Sequence, residues 1–307
     1  MIIDYASKQE LNTIIAGAHC AFGVFDGVHL GHQFIIQKAM EQKKQPSDTC
    51  VVITFDIDPD EMFCPGKLKK LMSNQRRLEA LDKLGADYVV VLPFTREFAS
   101  QTPEVFIQNV FGGAAPKSLH IGSDFRFGYK AQGKVATLKA WGHSEGVSVI
   151  PYGLYSIDGT VVTSTTIRSA LAACDIKGAN KLLGRNFALD GTVEAGRGEG
   201  RDMGFRTANI SIPVERYSLG EGVYAAYDVT EAGERYKSAV SVGGAPTFGE
   251  LSKQNIEAHI LDFEQDIYGQ ELILEFVEFL RPMMVFPTVD ELISTVMGNI
   301  QWCRDNL

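Results

Sequence analysis

Paired cysteines are missing from this chain of 307 residues. Its five cysteines, Cys20, Cys50, Cys64, Cys174 and Cys303, are odd in number, and no two stand at Cys-x-x-Cys spacing. That argues against a disulfide framework or a structural zinc site and fits a reducing cytosol. A basic surplus is missing too. The 29 Lys and Arg are outnumbered by 38 Asp and Glu, for a net charge of −9. Duplex nucleic acid is bound through clustered cations, so it is an unexpected partner. An anionic nucleotide stays open, because local fields outweigh net charge at a site. Long apolar runs are also absent. No segment reads as a membrane span, and Met1-Ile2-Ile3-Asp4-Tyr5 has neither the basic start nor the apolar core of a signal peptide. A cytoplasmic location with no membrane partner is expected. There is no internal repeat and no low-complexity tract, and nothing in the sequence specifies an oligomeric state.

What is present is the composition of a globular protein, 45% hydrophobic and 22% charged. The length favours two domains. β-rich runs at 21–25, 50–55, 88–92, 118–121 and 147–152 alternate with helical patterns at 33–45, 73–84, 103–111 and 134–141. In the second of these Leu78, Leu81 and Leu84 recur every three residues, Ser73 can cap the start and Gly85 can end it. Such alternation implies a parallel α/β sheet, whose ligands sit beyond the carboxyl ends of the strands. A helical stretch, 166–182, closes this half. From about residue 183 the pattern changes to glycine and strand-like runs, at 191–194, 223–229, 239–242, 256–263 and 271–280, without alternating helices. That reads as an antiparallel barrel or sandwich. The apolar spacing of Val289, Leu292, Ile293, Val296 and Ile300 adds a helix packed on it. The expected domains are 1–183 and 184–307.

Five motifs carry chemistry. Phe25-Asp26-Gly27-Val28-His29-Leu30-Gly31-His32 joins an apolar run to a helical one. This order brings two imidazoles to a helix start, where unpaired N–H groups and the helix dipole favour an anion. Taken alone, the pair reads as readily as surface or core histidines. Thr163-Ser164-Thr165-Thr166-Ile167-Arg168 sets hydroxyls before a guanidinium: a helix cap, or a second phosphate clamp. Gly122-Ser123-Asp124-Phe125-Arg126-Phe127-Gly128 is a packed turn, or a floor for a planar ring. The glycines of Gly196-Arg197-Gly198-Glu199-Gly200-Arg201 suit a flexible turn, or a backbone nest for phosphate. Just beyond, Thr207 and Asn209 offer oxygen ligands for Mg²⁺. On a strand over 256–263, Glu257 and His259 share a face, as an ion pair or as a carboxylate placed for general-base work.

Together these residues resemble the prokaryotic bifunctional riboflavin kinase/FAD synthetases. Phe-Asp-Gly-Val-His-x-Gly-His, Gly-x-Asp-Phe-Arg-Phe-Gly and Ser-Thr-x-Ile-Arg resemble the adenylyltransferase half. The glycine-rich segment ending Thr207-Ala208-Asn209, then Pro246-Thr247-Phe248, Glu257 to Phe263 and Tyr268-Gly269, resemble the kinase half. The resemblance spans nearly the whole chain in the same order. It implies a Rossmann-like nucleotidyltransferase domain followed by an antiparallel β-barrel riboflavin kinase domain with a terminal helix. It further implies two reactions: riboflavin and ATP to FMN and ADP in the second half, FMN and ATP to FAD and pyrophosphate in the first. By position, His29 and His32 would meet the ATP phosphates during adenylyl transfer. Gly23, Phe25, Asp26, Gly31, Asp124, Ser164, Thr165 and Arg168 would surround the nucleotide there, with Gly198 and Gly200 at the kinase nucleotide. Phe125, Phe127 and Arg281 would meet flavin. Thr207 and Asn209 would hold Mg²⁺ and ATP phosphates, and Glu257 would take the proton of the terminal ribityl hydroxyl.

Three positions depart from the family pattern. Ile57-Asp58-Pro59 stands where Pro-His-Pro is usual, and by charge alone Asp58 should weaken the binding of anions. Arg206 replaces a proline before Thr207, which should loosen that turn. Ser241-Val242-Gly243 replaces Asn-Ile-Gly. The competing readings are an enzyme with one active half, a non-catalytic flavin-binding protein, and a nucleotidyltransferase with another acceptor.

Overall fold

Every residue of strands β2 (His19–Phe22) and β3 (Cys50–Phe55) is buried, as is nearly all of β4 (Tyr88–Leu92). Strands covered on both faces belong in the middle of a parallel sheet flanked by helices. The computed structural model describes the chain except residues 5–7, 65–68, 196–204, 214–215, 217–218 and 244–254. It assembles these strands with β1 (Ile2–Asp4), β5 (Ser118–Gly122) and β8 (Ser148–Tyr152) into a six-stranded sheet, ordered β1-β4-β3-β2-β5-β8. All five pairings are parallel. From β2 the chain winds to β3 and then β4 on one side, and returns to β5 and β8 on the other. The crevice beyond the carboxyl ends of β2 and β5 is therefore the topological switch point, the expected place for a ligand. Its floor is apolar: Phe22, Ile53, Phe55, Phe106, Phe111, Leu119 and Ile121 belong to one buried cluster.

Two short hairpins decorate this unit, β6/β7 (Arg126–Phe127 with Gly133–Lys134) and β9/β10 (Ser156–Ile157 with Thr160–Val161). The described chain forms two compact units, 1–68 with 73–164, and 69–72 with 165–307. The helical stretch expected over 166–182 is two helices, Ser164–Ala172 and Ile176–Leu183. The break has a physical cause: Cys174 takes a φ of 60°, and Asp175 starts the next helix by accepting from the Gly178 N–H.

In the second unit the strands close completely. β11 (Phe187–Glu194), β12 (Ala208–Ser211), β15 (Asn255–Ile260), β14 (Arg235–Gly243), β13 (Gly222–Thr230) and β16 (Glu271–Arg281) form an antiparallel barrel in that order. Closure leaves no strand edge to blunt. Alternation is clean on β15, where Ile256, Ala258 and Ile260 face inward, so Glu257 and His259 face outward. The final helix, Val289–Asn306, packs Ile300 and Cys303 against Ala225, Ala239 and Leu261 on the outer wall. Its start is capped by Thr288, whose hydroxyl accepts from the Glu291 N–H.

Candidate active site

The segment after β2 holds the most strained backbone of the first unit. The strand expected to run to residue 25 ends at Phe22, and Phe25 adopts the left-handed conformation at φ 59°, followed by Gly27 at 75° and Val28 at 39°. A phenylalanine and a β-branched valine there are genuine outliers that the surroundings must impose. Packing imposes one of them. A Cβ on Gly23 would come within 2.9 Å of the Phe25 ring, so glycine is what lets that ring fold back, where it is 3% exposed. A buried arginine on the helix Asn74–Asp82 pins the start of the turn. Arg77 donates to the Val24 carbonyl at 2.7 Å, the Thr54 hydroxyl at 2.6 Å and the Phe55 carbonyl at 2.5 Å. Burial pulls its pKa down, while the nearby charges of Asp26 and Asp58 favour the cation. Sequence reasoning missed Arg77. A charged residue in a helix whose neighbours are polar carries no signal that it points inward.

The turn delivers His29 to the head of a helix, Leu30–Met40, which begins three residues earlier than its apolar pattern suggests. His29 is the N-cap. Its Nδ1 accepts from the His32 N–H at 3.3 Å, so that nitrogen carries no proton and the N–H of the neutral ring is at Nε2. The His32 ring stacks on His29, centroids 3.6 Å apart, and meets Phe25 edge-on. Gly31 permits this stack, since a Cβ there would sit 3.2 Å from the His29 ring and 3.3 Å from the Val162 carbonyl. The Ser164 hydroxyl donates to the Asp26 carbonyl at 3.0 Å. The structure thus brings Gly23, Phe25, Asp26, His29, Gly31, His32 and Ser164 together.

On the adjacent strand, β5 runs into the loop that carries Asp124, which is exposed. Phe125 is half-buried and packs its ring 5.2 Å from Phe22. Phe127, expected to meet flavin, is 5% exposed with its ring 4.9 Å from Phe106, so it belongs to the core. Arg126 turns back onto the Phe125 carbonyl. Asp58 is not simply a loose anion. Its carboxylate caps the short helix Pro59–Phe63 by accepting from the Asp60 N–H at 2.9 Å, while Glu61 accepts from the Asp58 N–H, a complete capping box. Burial raises its pKa and so favours the neutral form. In the other unit, Thr165 is exposed on the helix Ser164–Ala172, and Arg168 donates through Nε to the Lys69 carbonyl.

A second constellation lies on the outer wall of the barrel. Register sets Glu194, Asn209, Glu257 and Ser241 side by side on successive strands β11, β12, β15 and β14. Residues directly opposed in antiparallel pairs share a face. Glu257 is held by two donors, the Asn255 amide on Oε1 at 2.8 Å and the Thr207 hydroxyl on Oε2 at 3.5 Å. His259 does not pair with Glu257. Its Nδ1 lies 2.8 Å from the Arg206 carbonyl and donates to it, which ties down the residue just before Thr207. A hydroxyl, an amide oxygen and a carboxylate form an all-oxygen donor set that suits a hard cation such as Mg²⁺. Among the described residues, no group of three or more His, Cys, Asp or Glu is arranged to hold a metal. Near the same wall a cleft of about 250 Å³ is lined by Phe279, Leu280, Asn299 and Trp302, with Glu278 and Gly298. Arg281 donates to Asn299 at 2.9 Å, and burial lowers its pKa. Gly198 and Gly200, like Pro246 to Phe248, lie outside the described residues.

Comparison with known proteins covers both units. Residues 12–166 match the family described as FAD synthetase, and residues 183–307 match riboflavin kinase. Proteins named bifunctional riboflavin kinase/FMN adenylyltransferase match almost end to end. The one from Haemophilus influenzae is 35% identical, covering 96% of each chain. The one from Listeria monocytogenes is 33% identical, covering 92% of this chain and 90% of its own. A solved structure described as a macrolide-efflux protein from Streptococcus pneumoniae superposes with a TM-score of 0.87 at 27% identity, covering 100% of this chain and 99% of that one. No helix among the described residues is long and apolar enough to cross a membrane.

Proposed function

The chain belongs to the bifunctional riboflavin kinase/FMN adenylyltransferase family, and from that premise we propose how its residues divide two reactions between two sites. The chain phosphorylates riboflavin to FMN and adenylylates FMN to FAD, with ATP as donor in both. The observation that carries this reading is that each family match contains its own clustered polar constellation: the His29/His32 stack in the first and the Thr207–Asn209–Glu257 group in the second.

In adenylyl transfer, a phosphate oxygen of FMN forms a bond to the α-phosphorus of ATP, and the bond to pyrophosphate breaks. Little covalent help is needed; positioning and charge stabilisation do most of the work. His29 presents Nε2–H toward the phosphates because its Nδ1 is taken by the helix N–H. The positive end of the helix Leu30–Met40 adds to the same field. Ser164 holds a phosphate oxygen, Asp124 reads the nucleotide, and Phe125 offers a flat face to a ring.

In the kinase reaction, Glu257 accepts the proton of the terminal ribityl hydroxyl as that oxygen bonds to the γ-phosphorus and ADP departs. The Asn255 and Thr207 donors fix the carboxylate's orientation. Thr207 and Asn209 would hold Mg²⁺, which supplies neutralisation of phosphate charge when bound. We assign the flavin ring to the cleft beside Phe279 and Trp302, with Arg281 at its edge. The five free cysteines fit a reducing compartment, and we place the chain in the cytoplasm. Purified protein given riboflavin, ATP and Mg²⁺ should yield both FMN and FAD by chromatography. If neither forms over a wide substrate range, the reading is overturned.

A further inference from the structure

Below the switch point a chain of buried polar side chains climbs from the amino end of the sheet to its carboxyl edge. The His19 ring Nδ1 lies 2.7 Å from the Ser118 hydroxyl. That hydroxyl lies 2.9 Å from His120 Nε2, and His120 Nδ1 lies 2.8 Å from the Tyr152 hydroxyl. Strand register builds the line: His19 pairs with Ser118 at the bottom of β2 and β5, His120 sits two residues further on the same face, and Tyr152 pairs with Gly122 at the top of β8. His19, Ser118 and His120 are 8%, 4% and 0% exposed.

Burial holds both imidazoles in the neutral form, with His120 pushed down to about 4 and His19 also lowered. Burial and Glu41 hold the Tyr152 phenol above its usual range, so it keeps its proton. Each ring then has one N–H and one acceptor nitrogen, and each hydroxyl has one hydrogen. The two bonds of His120 must then run in one sense: either Ser118 donates to Nε2 and Nδ1–H donates to Tyr152, or the Tyr152 hydroxyl donates to Nδ1 and Nε2–H donates to Ser118. In either direction, deleting one member leaves its neighbours with an unmet buried group, which costs more than the bond itself.

The upper end of this line touches both parts of the adenylyl site. The Tyr152 carbonyl accepts from the Ser123 N–H at 2.7 Å, at the root of the loop that carries Asp124 and Phe125. The Tyr152 ring meets Phe34 edge-on at 5.5 Å, on the helix headed by His29 and His32. We propose that His120 is a positioning residue for adenylyl transfer: through Tyr152 it holds the Gly122–Asp124 turn and the helix head in register with each other. This rests on the assignment of that reaction to the first unit. It explains why a central strand of an apolar sheet tolerates a histidine and a serine, which would otherwise only lower stability.

The test uses Tyr152→Phe, which deletes the hydroxyl and keeps the ring, together with His120→Asn and His120→Leu. Asparagine can still reach the Tyr152 oxygen, whereas leucine cannot. Steady-state FAD formation from FMN is measured in the full chain at a temperature where each variant is folded, with FMN formation by the same protein as internal control. The expected result is a fall in adenylyl-transfer kcat of about 10-fold for Tyr152→Phe and His120→Leu. KM for ATP should change less than about twofold, kinase activity should be unchanged, and His120→Asn should recover most of the loss. A structural role alone would lower the melting temperature without this split or this rescue. If Tyr152→Phe matches wild type in kcat while wild type makes FAD, the proposal falls and the functional reading stands, whether or not His120→Leu folds. If wild type makes no FAD from FMN, the reading and the proposal fall together.

Discussion

His29 has two jobs that different substitutions separate. As N-cap it accepts a helix N–H, and in the proposed adenylyl site it would offer Nε2–H to phosphate. Alanine removes both and costs about 1 kcal/mol in capping. Asparagine caps well but has no group at the Nε2 position, so His29→Asn should leave the melting temperature within about 2 °C and lower FAD formation by about 10²- to 10³-fold. FMN formation from riboflavin, read in the same chromatogram, should not change. Glu257→Gln should do the reverse, lowering FMN formation by about 10²- to 10⁴-fold while FAD formation from supplied FMN persists. Loss of both activities from either change in a folded protein would contradict separate sites. At this scale the sequence was informative where a motif named atoms and misleading where charge was counted alone. Asp58 reads as a repulsive anion in the sequence, yet it is a capping residue whose burial favours the neutral form. Arg206 reads as a loosened turn, but His259 donates to its carbonyl and restores a constraint that no propensity scale contains.

Elements were legible wherever hydrophobic period and burial agree. The buried runs of β3 and β4 and the alternation on β15 could be read directly. Short pieces without a period could not, which is why β1, β12 and both hairpins went unseen. Two buried charges, also illegible, carry predictions. Arg77 ties β3 to the strained turn after β2, so Arg77→Met takes a donor from two carbonyls and a hydroxyl, leaving the Val24 carbonyl only the Thr54 hydroxyl. Stability should fall by about 3 kcal/mol or more, and FAD formation should fall further than FMN formation at a temperature where the variant remains folded. Asp228 faces into the barrel from β13, fully buried. It accepts from Ser238 at 2.8 Å, while Oδ2 has no hydrogen-bond partner among the described residues. Tyr236 lies opposite on β14, and Leu274 on β16. Burial pushes this carboxyl up to about 7. The folded state therefore holds a proton that the unfolded state gives up near pH 4, and the stability this protonation provides is lost as pH rises through 7. Asp228→Asn removes that slope. Denaturant titrations at pH 5 and pH 8 should show the variant gaining on wild type by about 2.6 kcal/mol between them. Parallel pH curves for the two proteins would contradict the buried acid.

For the whole molecule, the two sites have different chemistry and share one metabolite, FMN, which is product of one and substrate of the other. As proposed, each reaction has its own described constellation: the His29/His32 stack with Asp124 and Ser164 in the first unit, and Thr207, Asn209 and Glu257 in the second. Neither constellation borrows a described side chain from the other. A chain disabled in one half should therefore be a competent single enzyme. His29→Asn given riboflavin and ATP should stop at FMN, and Glu257→Gln given riboflavin should make almost nothing. Mixed together, the two should convert riboflavin to FAD, because FMN released by the first is ordinary substrate for the second. The mixture should show a lag in FAD that shortens as total protein rises, since FMN must build up in solution before the second enzyme can use it. Wild type would show the same lag if FMN equilibrates with solvent between sites, and a shorter one if it does not. The decisive measurement is FAD against time for the mixture. If the mixture makes no FAD although each variant retains its own single activity, the two sites do not act as independent enzymes linked by free FMN.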